Sequence, residues 1–130
     1  MPPWTRIDPA LIGRLPGIGL RALSMEGARP RRLAAPGVVA LNAHCDPIKW
    51  KGGARFTGTG RALDEIVNHL AARRLGTADR DEPTGLCTHH LAHDEATWEF
   101  VATLVGRTAA HPAVRWIGLE AELEPAEAPC

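Results

Sequence analysis

A chain of 130 residues, 45% hydrophobic and 23% charged, has the make-up of one globular domain rather than of a disordered or fibrous protein. Fifteen Lys and Arg balance fifteen Asp and Glu, which excludes the basic face of a nucleic-acid binder and the polybasic patch of a membrane-surface protein. No apolar run approaches the ~18 residues of a membrane span, and Cys45, Cys87 and Cys130 form no CxxC, so a reducing, cytoplasmic setting is expected, without disulfides or a thiolate zinc site.

In chain order, Asp8-Pro9 reads as an N-cap and first-turn proline of a short helix that ends at Pro16-Gly17. Residues 20–25 are a strand candidate. Residues 27–36 read as a loop, in which Arg29, Arg31 and Arg32 are solvated. The apolar run Val38-Val39-Ala40-Leu41 predicts a strand buried on both faces, leading into Asn42-Ala43-His44-Cys45-Asp46. Residues 47–60, rich in glycine, read as an irregular loop. Residues 61–75 predict a helix with an inner face of Leu63, Ile66, Val67, Leu70 and Ala71, closed by Gly76. A charged connection leads to a strand over 85–88. Asp94-Glu95 then open a helix whose inner face would hold Trp98, Val101, Ala102 and Val105. Residues 114–117 read as the last strand. The domain spans residues 1–118, and residues 119–130, rich in Glu, Ala and Pro, read as a disordered tail.

Strands alternating with helices predict an α/β fold with a mostly parallel sheet. The number of units is about half that of a closed β/α barrel, so the open edges would pair with further residues, a partner or a second copy as a homodimer.

Two polar segments stand where the strands end, the place where β/α folds put their chemistry. One is 42–46 with Trp50 beyond it, and the other is Thr88-His89-His90-Leu91-Ala92-His93-Asp94. Histidine beside carboxylate suits either proton transfer or metal binding, and the spacing leaves both open. Plainer roles compete: a helix cap for Asp94, a satisfied buried imidazole for His44, and packing or surface positions for His69 and His111. Trp98 and Trp116 would be core, Trp50 either a packing residue or a sugar-stacking one, and Cys45 and Cys87 bystanders.

The strings MPPWTRI, LNAHCDPIKWKGG and EPTGLCTHHLAHDEATWEF resemble a bacterial group of polysaccharide-deacetylase-like proteins, over nearly the whole chain. The resemblance implies a partial (β/α) barrel and metal-dependent removal of acetyl groups from a carbohydrate. A divalent metal, zinc in the first place, would be held by an Asp-Asp pair and a His-x-x-x-His expected upstream of Met1, so this chain by itself would bind none and deacetylate nothing. Leu86-Cys87-Thr88-His89 resembles the late motif with the general acid, His89, or His90 because of the doubled histidine. The resemblance gives Asp46 the tuning role, and His44 joins the candidate catalytic set from its place at the same strand end. Trp4, Trp50 and Arg6 would contact the sugar, Arg6 because Met1 stands where the motif has arginine. Two alternatives accompany this: a non-catalytic carbohydrate-binding remnant, and a small zinc protein using His44, Asp46, His89 and His93.

Overall fold

The computed structural model describes residues 1–123, which are built around one central segment, residues 38–45. Val38–Ala40 forms β3, buried along its length. Two residues later Ala43–Cys45 forms β4. On one side runs β1, Ala22–Leu23, parallel to β3 with Ala22 opposite Val39. This backbone ladder continues past β1: the Ala43 amide donates to Met25 at 2.8 Å, and the Gly27 amide donates to Ala43 at 2.9 Å. On the other side lie β2, Leu33–Ala35, antiparallel to β3, and then β7, Gly85–Leu86, parallel to β4. A separate hairpin pairs β5, Ile48–Lys49, with β6, Arg55–Phe56.

This arrangement overturns the expected mostly parallel partial barrel. The strands are two or three residues long and fall into three small sheets, β1-β3-β2, β4-β7 and β5-β6, with antiparallel pairings in two of them. The physical cause lies in the residues that interrupt the strands. Asn42 replaces the ladder with its side chain, accepting from the Met25 amide at 3.0 Å and donating to the Gly27 carbonyl at 2.8 Å. Pro36-Gly37 turns β2 back onto β3, with Gly37 at φ +77°. Pro47 lacks the N–H that would extend β4. What survives of the alternation is one unit: parallel β4 and β7, joined through the helix α2, Thr59–Leu75.

The short helix α1, Pro9–Ile12, is capped by Asp8, and helix α2 ends where expected, at Gly76 in the left-handed region, whose amide returns to the carbonyls of Ala72 and Arg73. Its buried stripe is not the expected one. Ala62 and His69 are buried and Ile66 partly so, while Leu63, Val67 and Leu70 are exposed. The space against β4 admits a small side chain at Ala62, and the polar cluster described below claims His69. Helix α3, Glu95–Thr108, is capped by Asp94, whose Oδ1 accepts from the Thr97 amide at 2.8 Å. Its inner face carries Thr97 and Phe100 with Val101 and Leu104, and Trp98 and Val105 are exposed. The core gathers Cys45, Ala62 and Phe100, with Phe56, Ile66 and Leu86 against them. The Phe56 and Phe100 ring centroids stand 5.3 Å apart.

Four further expectations are corrected. The glycine-rich stretch 47–60 contains the β5–β6 hairpin. The expected last strand over 114–117 is irregular, and Trp116 is exposed, with its indole N–H on the Thr108 hydroxyl at 3.0 Å. Arg29 is buried, donating from Nε to Asp79 at 2.8 Å and from its guanidinium to the Ala40 carbonyl at 3.1 Å. The expected tail begins with a short helix α4, Leu119–Leu123, and residues 124–130 lie outside the described residues. No helix among the described residues is long and apolar enough to cross a membrane.

Candidate functional site

The parallel β4–β7 pairing sets two strand ends side by side. The Cys87 amide donates to the Cys45 carbonyl at 2.9 Å, carrying the pairing one residue beyond β7. Asp46 follows Cys45 and turns the chain, its Oδ1 accepting from the Ile48 amide at 2.9 Å across Pro47. Its other oxygen, Oδ2, serves two partners. It accepts from the Trp50 indole N–H at 3.0 Å and lies 3.2 Å from His89 Nε2. The Trp50 ring stands edge-on to the His89 ring, centroids 4.8 Å apart. The β5–β6 hairpin places Trp50 there, through a turn with Gly52 and Gly53 at φ +82° and +100°.

A neutral imidazole has one donor and one acceptor nitrogen. Asp46 selects the tautomer with the proton on Nε2, so Nδ1 keeps its lone pair and has no partner among the described residues. Cys87 Sγ lies 3.3 Å from the same Nε2, beside the Asp46 contact. Burial, then the Asp46 and Glu26 carboxylates, push the Cys87 thiol up. Burial, then Glu65 and Asp46, push Cys45 up to about 12. Both shifts favour the protonated thiols near neutral pH. A cleft of about 290 Å³ opens beside β4, lined by Asp46 and Cys87 together with Glu26, Arg61 and Glu65. That is close to the smallest size of small-molecule pockets, roughly 300 Å³.

The structure therefore brings together His89, Asp46 and Trp50. His90 is exposed and takes no part in their hydrogen bonds. Trp4 is 89% exposed, on a left-handed backbone at φ +56°, and the hydrogen bonds that join Asp46, Trp50 and His89 involve neither it nor Arg6. His44 is drawn inward, away from His89, into a second cluster.

That cluster escapes a reading of the sequence. His44, His69 and Glu82 meet in the interior, with the Glu82 side chain 0% and the His44 side chain 2% exposed. The His44 and His69 rings stack at 3.4 Å between centroids, 15° from parallel. Both Glu82 oxygens accept from the Arg29 amide, at 3.0 and 2.9 Å, and each also lies 3.3 Å from a histidine Nε2. His69 Nδ1 meets the Thr84 hydroxyl at 2.9 Å. Burial, then His69, Arg73 and Arg29, lower the pKa of His44 to about 4. Burial lowers that of His69 against the opposing pull of Glu82. The one signal of the cluster in the sequence is the helical spacing of Ala62, Ile66, His69 and Arg73, a stripe of mixed polarity.

The ligand atoms of His44, His69 and Glu82 lie within 4.8 Å of one another, a spacing that could hold a metal ion. Two observations oppose direct ligation in this arrangement. The Gly85 amide donates to His44 Nδ1 at 3.0 Å, so the neutral ring carries its proton on Nε2, the atom that would have to face the ion. A metal-bound histidine instead donates its other ring N–H to a second partner. The near-parallel stack also aims the two imidazole planes side by side rather than at a common point. His44 Nε2, although 3.3 Å from Glu82, makes no hydrogen bond there. The set His44, Asp46, His89 and His93 does not assemble among the described residues.

The chain does contain one His-x-x-x-His, at His89 and His93. The structure does not use it as a ligand pair, because His93 Nε2 accepts from the backbone amide of His89 at 3.0 Å.

Comparison with family models, curated proteins and solved structures found no match to this chain.

Proposed function

We propose that this chain supplies a histidine–aspartate proton-transfer site for hydrolysis of acetylated sugars, with His89 as the general acid. The observation that carries the reading is the double contact of Asp46 Oδ2, 3.2 Å from His89 Nε2 and 3.0 Å from the Trp50 indole nitrogen. A carboxylate that holds one imidazole nitrogen orients the ring and stabilises its protonated form, and the opposite nitrogen then exchanges protons with a reacting group. Here that nitrogen is Nδ1. Trp50, 52% exposed, adds a flat wall on which a sugar ring can stack. In the hydrolase the resemblance implies, a divalent metal polarises the acetyl carbonyl when bound. The donors of the His44, His69 and Glu82 cluster are of a type that suits zinc, but its tautomer and stacking do not favour one there, and no role in the reaction is assigned to it.

The half-exposed Trp50 also supports the second reading, a carbohydrate-binding module without catalysis. One experiment tests both. The chain is titrated with an N-acetylglucosamine oligomer and with its deacetylated counterpart, following the Trp50 indole and His89 ring signals by NMR, alongside Trp50→Ala and Asp46→Asn. Perturbation of both signals in the wild-type chain, with the His89 response weakened in both variants, supports the proton-transfer site. Perturbation of Trp50 alone supports the binding module. No response of either residue to either oligomer refutes both readings.

A further inference from the structure

The turn that carries His89 is held by a second histidine through an unusual bond. His93 Nε2 accepts from the His89 backbone amide at 3.0 Å. The same turn ties down the other side of His89, whose carbonyl accepts from the amides of Ala92 at 2.7 Å and His93 at 3.0 Å. The peptide groups on both sides of His89 are thus bonded to residues 92 and 93, which leaves its side-chain torsions as the main freedom opposite Asp46.

The His93 ring is half-buried, and one of its nitrogens is unpaired. With Nε2 accepting, the neutral ring must carry its proton on Nδ1, and that atom is buried with no hydrogen-bond partner. An unsatisfied buried donor is a cost that an apolar side chain against Trp98, whose ring centroid lies 4.6 Å away, would avoid. What the imidazole offers in exchange is its acceptor, aimed at the His89 amide.

From this geometry we infer that His93 is a positioning residue for His89, fixing the backbone from which the general acid reaches Asp46. The inference rests on the proposed role of His89. It also makes the arrangement sensitive to acid, since a protonated Nε2 is a donor and repels the amide it now accepts from. The groups that face His93 are His89 and His90 of its own turn, Asp94 at the start of α3, Asp46 at the end of β4, and the uncharged Trp98 ring of α3. Burial, then His89, hold its pKa below the ordinary value, with Asp46 and Asp94 opposing. The bond is therefore intact at neutral pH and lost as pH falls through that depressed pKa.

The test compares the wild-type chain with His93→Gln, whose carbonyl can replace the acceptor, and His93→Leu, which packs but accepts nothing. Nitrogen-15 NMR reads the scalar coupling across the N–H···N bond between the His89 amide and His93 Nε2. Amide exchange of His89 is read relative to its intrinsic rate. The wild-type chain should show the coupling at pH 7.5 and lose it in acid. Exchange in His93→Leu should be roughly fivefold faster or more, as for loss of one ordinary hydrogen bond. His93→Gln should restore slow exchange and remove its acid-induced step. A wild-type chain without the coupling, or a Leu variant that protects His89 as well as Gln does, overturns the inference. Failure of the sugar titration with the coupling present would instead refute the role of His89, so the two failures are told apart.

Discussion

Replacing His44 by Asn should flatten the pH dependence of stability between about pH 6.5 and 4. In the unfolded chain His44 takes up a proton near its ordinary pKa of 6.5, and in the folded chain only near pH 4, because burial, His69, Arg73 and Arg29 oppose the charge. Between these values the unfolded state binds more protons, so acid favours unfolding and stability rises with pH. The contribution is fully present above pH 6.5 and fully lost below about 4. The distance between 6.5 and about 4 corresponds to about 3 kcal/mol. Little solvent screening reduces it, since the side chain is 2% exposed. An Asn carbonyl can still accept the Gly85 amide, which His44 Nδ1 now does at 3.0 Å, and carries no titrating group. Urea unfolding at pH 7.5, 6.0, 5.0 and 4.5 would be compared for the two proteins. Asp79 and Asp94, whose carboxyls are held below the usual range by hydrogen bonds from backbone and neighbouring side chains, lose their contributions at lower pH and equally in both. His93, far from the substitution, titrates equally in both, so the difference between the two curves reports His44 together with its coupling to the stacked His69. Parallel loss of stability in wild type and variant from pH 7.5 to 4.5 would refute a neutral buried His44.

Three further substitutions probe other parts of the structure. Glu82→Ala leaves the Arg29 amide and His69 Nε2 without their shared acceptor and should cost about 1–3 kcal/mol, the scale for leaving buried polar groups unsatisfied, measured by urea unfolding at pH 7.5. Gly85→Ala would drive its Cβ into the Asn42 carbonyl, where β7 meets β4, and should destabilise by about 1–3 kcal/mol. The nitrogen-15 spectrum should show its largest shifts at 42–46 and 85–89, and an unchanged spectrum would contradict this close approach. Phe100→Ala removes the ring that packs on Phe56 in the core and should lower stability by about 3–5 kcal/mol in thermal or urea melts.

What the sequence made legible was local. Asp8 and Asp94 as helix caps, Gly76 as a helix stop, and the buried run at residues 38–40 all appear in the structure, because each depends on chemistry within a few residues of itself. The strand-end reading also brought Asp46 and His89 within reach of each other across 43 residues of chain, as their 3.2 Å contact shows. The sheet was less legible. Asn42 is an ordinary polar residue in the sequence, and only its side-chain bonds to Met25 and Gly27 reveal that it divides one strand into two. The helix faces were misassigned for a related reason. Counting apolar residues on α2 points to Leu63, Val67 and Leu70, but a polar interior at Glu82 turns His69 inward in their place. The same interior buries Arg29, which composition alone assigns to solvent.

Asp94 has a reach beyond its cap. Its Oδ1 holds the Thr97 amide at the start of α3, while its Oδ2 accepts the Phe56 amide of β6 at 2.9 Å. One carboxylate thus fastens the hairpin that carries Trp50 to the end of the turn that carries His89. The hairpin bearing Trp50 and the turn bearing His89 are therefore tied at Asp94 as well as at Asp46, so a displacement of either is transmitted to the other.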